Sequence, residues 1–310
     1  MAGVARASGL PDYGPAGTVN FIPEVYSQRM VEKFYKTTVF GEIATTDYEG
    51  DIAGFGAQVK IRTVPDVTVS EYVVGAGLSN QYPTNNSVTL VIDQAKSFAV
   101  ALSTVDAAQS DLDMADIFAN DGSIQLRIAA DAEMLETIPA DVSVDNSGTT
   151  AGRDSNSIDL GDSTNPVSIT KTNVVDFIVD CGTVLDEQDV SEEDRWMVVP
   201  PWFSGLIKQS DLKIASLAGD STSIVRNGKL GMIDRFTLFQ SRNLLRQTTP
   251  GPATYLMFGH SAGLTFASQI IECRMIDNPN DFGYLIQGLM VFGFEVIEGR
   301  YLGTACVKRG

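Results

Sequence analysis

The period of the apolar positions changes between Leu90 and Pro139, and that change is the most informative feature of the chain. The run LVIDQAKSFAVALS reads as strand. It feeds directly into residues whose apolar side chains recur near helical spacing: Val105, Ala108, Leu112, Ala115, Phe118, Leu126, Ala129, Ala130 and Leu135. No proline falls between Thr104 and Ile138, Pro139 stops the pattern, and Thr104 followed by Ala107, Ala108 and Gln109 supplies a start. At 1.5 Å per residue, a helix over 104–138 spans about 50 Å, whereas an ordinary globular helix has roughly 11–12 residues. A rod of that length suits a plate or a strut. Gly122, inside it, costs about 1 kcal/mol relative to alanine and predicts a bend or a closely packed neighbour.

Upstream, Met1–Asn20 is rich in Gly, Ala and Pro and reads as an extended arm; Phe21–Thr38 follows as a short amphipathic helix with Tyr26, Met30 and Phe34 on one stripe. AQVKIRTV then alternates with period two, Val59, Ile61 and Thr63 on one face and Lys60 and Arg62 on the other. VTLVIDQ is the returning partner. Between them lies a long excursion with turn chemistry at Gly75, Gly77, Asn80, Pro83, Asn85 and Asn86. An isolated two-stranded hairpin is marginal in water, so the same domain or a neighbouring subunit must hold it.

Downstream, Asp141–Pro166 is a polar Gly/Ser/Asn/Asp stretch that reads as a surface loop or linker. From Val167 the pattern is α/β. SITKTNVVDFIVDCGTVLDEQ is a helix with an N-cap candidate at Thr172. RWMVVPPWF is a buried strand ending at Pro200–Pro201, and FSGLIKQSDLK is a second helix. NGKLGMIDRFTLFQSRNLL supplies a turn and a strand, and LIQGLMVFGFEVI and LGTACVK close the chain as strands.

Charge narrows the function classes. The 310 residues carry a formal net charge of −17, which argues against broad nucleic-acid binding, because phosphate contacts need clustered Lys and Arg. On the predicted rod, Asp106, Asp111, Asp113, Asp116, Asp121, Asp131, Glu133 and Glu136 face one base, Arg127. They form either a solvated acidic face or a wall that repels polyanions. The segment Lys208–Arg246 is less acidic and could favour attraction between subunits. Cys181, Cys273 and Cys306 lie far apart and suggest small buried hydrophobes, with no metal site or disulfide framework. The N-terminus lacks the apolar core of a signal peptide, and Tyr284–Ile297 is too short to span a bilayer, so no membrane association is expected.

One motif suggests catalysis. Gly259-His260-Ser261-Ala262-Gly263 matches the G-x-S-x-G nucleophile elbow, with Tyr255–Phe258 reading as a strand and Leu264–Ile271 as a helix. That chemistry needs a histidine base after the serine in chain order, and the single histidine, His260, precedes it within the turn. The glycine pairs at Gly54 and Gly75 lack the rest of a phosphate loop, and Glu192–Asp194 reads as an exposed acidic turn. Trp196, Trp202, Phe236 and Phe239 read as core. No catalytic, cofactor or metal residue is expected.

The order of the pieces resembles the major capsid proteins of tailed bacteriophages, the HK-97 fold. The stretches LVIDQAKSFAVALSTVDAAQSDLD, RWMVVPPWFSGLIKQSDLK, NGKLGMIDRFTLFQSRNLL, YLMFGHSAGLTFASQI and IDNPNDFGYLIQGLMVFGFEVI carry the resemblance. It implies an α+β fold with an N-arm (1–44), an E-loop (45–97) and a P-domain (98–166) containing a spine helix (104–138). An A-domain (167–268), a P-domain return strand (269–286) and C-terminal A-domain strands (287–310) complete it. It also implies self-assembly into hexamers and pentamers of a head enclosing double-stranded DNA, without sequence-specific binding or a cofactor, in a subunit made in the host cytoplasm. A portal, a separate scaffolding protein and a decoration protein are the other partners it suggests. In that family the E-loop lies over a neighbouring subunit, which makes Lys60, Arg62 and Glu71 the inter-subunit candidates. No lysine stands between Gly75 and Asn86, so no covalent cross-link through an E-loop tip lysine is expected. A ring-forming virion component and a Ser261 esterase are the alternatives.

Overall fold

The computed structural model of the chain describes residues 36, 38–47, 58–62, 65, 67–72, 74–75, 77, 80–82, 87–104, 113–210, 231–249, 251–279 and 281–310. The arm over Met1–Asn20, the amphipathic helix over Phe21–Thr38 save its last residues, and most of the segment between Lys208 and Gly231 lie outside them. In chain order the elements are α1 (Phe40–Ile43), β1 (Gln58–Arg62), β2 (Ser87–Val91), β3 (Gln94–Ser103), α2 (Met114–Thr137), β4 (Val167–Ile169), α3 (Val174–Asp186) and β5 (Arg195–Val199). There follow α4 (Pro201–Gln209), β6 (Met232–Ile233), β7 (Phe236–Gln240), β8 (Arg246–Gln247), β9 (Ala253–His260), β10 (Leu264–Asp277), β11 (Gly283–Val296) and β12 (Leu302–Arg309).

The described strands form three sheets. β1 and β2 pair antiparallel as a ribbon; β10, β11 and β3 form an antiparallel sheet; and a mixed sheet runs β4-β12-β9-β5-β7-β6, with β8 also on β9.

The three-stranded sheet packs on α2, and the fit rests on one ring between two glycines. A Cβ on Gly122 of α2 would stand 2.3 Å from the Phe98 ring, and one on Gly288 of β11 would stand 2.1 Å from it. Gly122 therefore marks a close approach, and it is Phe98 that approaches. Lys96 adds a 2.7 Å ion pair to Glu133 of α2. The helix is shorter than the 104–138 expectation. Asp113 leaves helical geometry at φ −77°, ψ 85°, and its carboxylate caps the new N-terminus by accepting from Asp116 N at 3.3 Å. Positions 105–112 lie outside the described residues. The 24-residue α2 spans about 36 Å and ends before Pro139, which lies in a short 3-10 turn over Ile138–Ala140.

In the larger sheet, β5 is buried on both faces, as its unbroken apolar run requires. Its one charged residue, Arg195, is neutralised where it enters. Nη2 meets Asp186 at 2.7 Å and donates to Val190 O at 2.6 Å, while Nε donates to Ser191 O at 2.7 Å. Pro201 starts α4 where a missing N–H costs nothing. Asp234 and Arg235, with φ of 45° and 67°, make the two-residue turn that joins β6 to β7. Helix α3 begins one residue later than expected, with Asn173 as N-cap and not Thr172. Asn173 Oδ1 accepts from Thr170 N at 2.7 Å.

Residues 141–166 form an irregular surface loop, as expected, but one tied closely to the body. Two further expectations are corrected. Buried Asn146 donates to Arg300 O and Leu302 O at 2.8 Å, Cys306 N donates to Leu160 O, and the Glu187 carboxylate accepts from Asp154 N and Ser155 N. Leu264–Ile271, read as a helix, is the first half of strand β10, which pairs with β11 from Leu264↔Val296 onward. Residues 287–296, expected with the C-terminal strands of the α/β module, stay in the three-stranded sheet, opposite β3 and β10; only β12 joins the larger one. A continuous core joins the two, running from Val39, Ile43, Met134 and Leu135 through Phe266 and Phe292 to Trp196, Phe203 and Phe258.

Candidate assembly surface

The excursion is anchored at its base and bare at its end. Register Gln58↔Val91 through Arg62↔Ser87 puts Ile61 and Val59 on the inner face, where Ile61, Leu90, Ile92 and Ala267 form a small cluster against Val291 and Ile297. Farther out, Gln81 bridges the two limbs with its side-chain amide: Oε1 accepts from Thr68 N at 3.0 Å, and Nε2 donates to Thr68 O at 2.6 Å. Gly75 and Gly77, with φ of 86° and 75°, supply the turn. Val67, Val69, Tyr72, Val74 and Tyr82 all stand in solvent, Val69 at 93% exposure and Tyr82 at 87%. Apolar side chains in such a row lose the burial that would stabilise them, roughly 1.5–3 kcal/mol for a large one, unless a partner covers them.

The second bare surface is the face of the three-stranded sheet turned away from α2. Period-two alternation in β3 sends Lys96, Phe98, Val100 and Leu102 to one side and leaves Ala95, Ser97, Ala99 and Ala101 exposed on the other. Across the ladder Ser97 faces Leu289 and Ala99 faces Gln287, whose partners on β10 are Glu272 and Arg274. A shallow depression lies there, in which Arg274 donates through Nε and Nη2 to Gln287 Oε1 at 3.3 and 3.2 Å. The alternation of small residues in QAKSFAVALS is the sequence signal for this face. The β10–β11 turn adds an exposed Phe282.

The predicted inter-subunit residues are all exposed: Lys60 and Arg62 on the outer face of β1, Glu71 beyond it. The fold does not bring them together, and none makes an ion pair with another described residue. The apolar row from Val67 to Tyr82 is the larger feature, and charge-based selection of residues missed it.

The acidic rod is also less uniform than its sequence. Asp131, expected on a solvated or polyanion-repelling face, is fully buried; its carboxylate accepts from Val39 N at 2.8 Å, Phe40 N at 3.0 Å and Asn243 Nδ2 at 2.7 Å. Two of the three cysteines are buried, and burial raises both thiols, Cys181 furthest; Cys273 is exposed, against expectation.

The nucleophile-elbow geometry is not formed. Ser261 opens a 3-10 turn between two strands, not a strand-to-helix elbow, and His260 Nδ1 accepts from Ala262 N at 3.0 Å. Burial lowers the His260 pKa, and the chain has no second histidine. No helix among the described residues is long and apolar enough to cross a membrane.

No protein-family model matches the chain, and no curated protein does either. Solved structures match over nearly its whole length. One from Mycobacterium phage Che8 superposes with a TM-score of 0.74 at 24% identity, over 92% of this chain and 97% of that one. The capsid structure of the cyanophage P-SCSP1u gives 0.71 at 14% identity over 99% and 100%, and the capsid of a native GTA particle gives 0.68 at 14% over 96% and 99%. The chain therefore has the α+β, HK-97-type capsid fold.

Proposed function

We propose that this chain is the major capsid protein of a tailed bacteriophage, a structural subunit that assembles with copies of itself into hexamers and pentamers of an icosahedral head around double-stranded DNA. The observation that carries the reading is the uncovered apolar row from Val67 to Tyr82, held out from the body on a fold shared with capsid subunits. Burying it needs a second molecule, and a subunit that both gives and receives such a contact closes a lattice of repeated weak interfaces.

On this reading, α2 with β3, β10 and β11 is the P-domain and the mixed sheet with α3 and α4 is the A-domain. The excursion from β1 to β2 is the E-loop, and residues up to Ala44 form the N-arm. Lys60, Arg62 and Glu71 lie at or beside the contact with the next subunit. The subunit needs no catalytic centre and no cofactor. DNA is enclosed and not gripped, since carboxylates of the spine, Asp131 apart, repel phosphates. A portal, a separate scaffolding protein and a decoration protein are the remaining partners; the subunit is made in the host cytoplasm and ends in the virion. Without a lysine at the loop tip, the shell holds together without covalent cross-links there.

Negative-stain microscopy of the expressed protein, alone and with a co-expressed scaffolding candidate, tests this. Closed shells or sheets of hexamers are expected. Monodisperse monomers under every condition would overturn the reading.

A further inference from the structure

Strand β10 lies at one end of the smaller sheet, paired with β11 on one side and open on the other. Thr45 covers the start of that open side: its N–H donates to Leu264 O at 2.9 Å, and its carbonyl accepts from Phe266 N at 3.0 Å. Past the irregularity between Ser268 and Ile270 the strand continues to Asp277, and every residue from Glu272 to Asp277 is exposed. Asn278 N donates to Gly283 O at 2.9 Å, so the even-numbered residues of this half turn their backbone groups to β11. The N–H and C=O groups of Cys273 and Met275 therefore point out of the sheet edge, and no described residue pairs with them there.

A bare edge is a template for another strand, and proteins guard such edges with repelling charges, bulges or cover. The charges here do not guard against a second copy. Glu272 and Arg274 share one face of the strand with Cys273 between them, and Arg274 is held on that face by its two bonds to Gln287 Oε1. When two such edges run antiparallel about a two-fold axis through Cys273, perpendicular to the sheet, each Glu272 stands directly opposite the other copy's Arg274. Moving the axis by one residue sets Glu272 against Glu272, or Arg274 against Arg274, and like charges directly opposite are repulsive. The register centred on Cys273 turns both charge contacts attractive and pairs the free backbone groups of Cys273 with each other. Exposed Met275 and Ile276 flank the charges and gain cover from the same approach.

We infer that the outer half of β10 is a self-pairing edge, through which two copies of the chain join antiparallel about a two-fold axis at Cys273. The contact is isologous: the same patch serves both copies, and their three-stranded sheets fuse into one. A second copy is the occupant because the order Glu272-Cys273-Arg274 complements its own reverse, a property that an unrelated strand shares only by chance. The edge is separate from the apolar row of the excursion, and the pairing does not depend on what the subunit builds.

The unmodified chain carries its own probe. Cys273 is exposed while Cys181 and Cys306 are buried, and in this register the two Cys273 Cα atoms lie about 5.5 Å apart, within reach of a disulfide. Brief oxidation of the full chain with copper phenanthroline at physiological salt, read on non-reducing gels and by mass spectrometry of the linked peptide, is expected to give a Cys273–Cys273 dimer. Glu272→Arg and Arg274→Glu should each lower its yield about tenfold, and the two together should restore it. Cys273→Ser combined with Met275→Cys should link poorly, because the two copies of position 275 stand about 14 Å apart. Absence of the Cys273 link would overturn the inference. So would a yield that rises with Glu272→Arg, as random collision of less negative chains predicts, or a Met275→Cys chain that links as well as the unmodified one. The link reports on two chains in solution, so a failure to form shells leaves it untouched.

Discussion

Phe98 shows how a single side chain sets the distance between two elements. Its ring lies where a Cβ on Gly122 or on Gly288 would be, so α2 and β11 can both close on β3. Gly122 stood out in the sequence because a helix interior seldom tolerates glycine without cause. Gly288 did not, and neither glycine named the ring that excludes a larger residue. Gly288→Ala is expected to destabilise the subunit by about 1–3 kcal/mol through overpacking, measured by urea unfolding. Adding Phe98→Leu should recover part of the loss; an unaltered unfolding midpoint for Gly288→Ala would mean the ring is not confined. Asp131 makes the complementary point. A carboxylate in an acidic helix reads as solvated, and only the approach of Val39, Phe40 and Asn243 turns it inward.

Among elements, the β1–β2 excursion and β10 illustrate opposite degrees of legibility. The β1–β2 ribbon was plain because Val59 and Ile61 alternate with Lys60 and Arg62, and that pattern has one reading. LTFASQII was not, since a short apolar run fits a helix turn as well as a strand; its pairing with β11, from Leu264↔Val296 to Ile271↔Met290, decided for strand. The excursion's bare residues can be tested apart from the fold. Val69→Asp together with Tyr82→Ser touches only exposed side chains. Subunit stability should therefore move by no more than about 0.5 kcal/mol, while assembly is lost. Thermal melting and sedimentation separate the two effects. Assembly at the wild-type level would show that the apolar row is not an interface.

For the whole molecule, net charge sets the terms of association. Subunits at −17 repel one another at long range, and salt shortens that repulsion to roughly 8–10 Å at physiological strength. Raising sodium chloride from low to physiological levels should therefore lower the protein concentration at which particles first scatter light. A threshold that rises with salt would mean ion pairs, and not apolar contacts, drive the proposed assembly.

The sequence by itself determined the class of architecture: a β excursion, a long acidic helix and an α/β module in that order, with no histidine placed to serve Ser261. Those features are local, written in period, turn residues and composition, and one chain segment suffices to express them. Tertiary structure alone decided the start of α2 at Met114, the path of β10 and β11 through the smaller sheet, the packing of residues 141–166 against β12, and the burial of Asp131. Each depends on partners up to 198 positions away, as Gln94 is from Phe292, or on the capping of one backbone turn, and such contacts leave no periodic trace in the residues that make them.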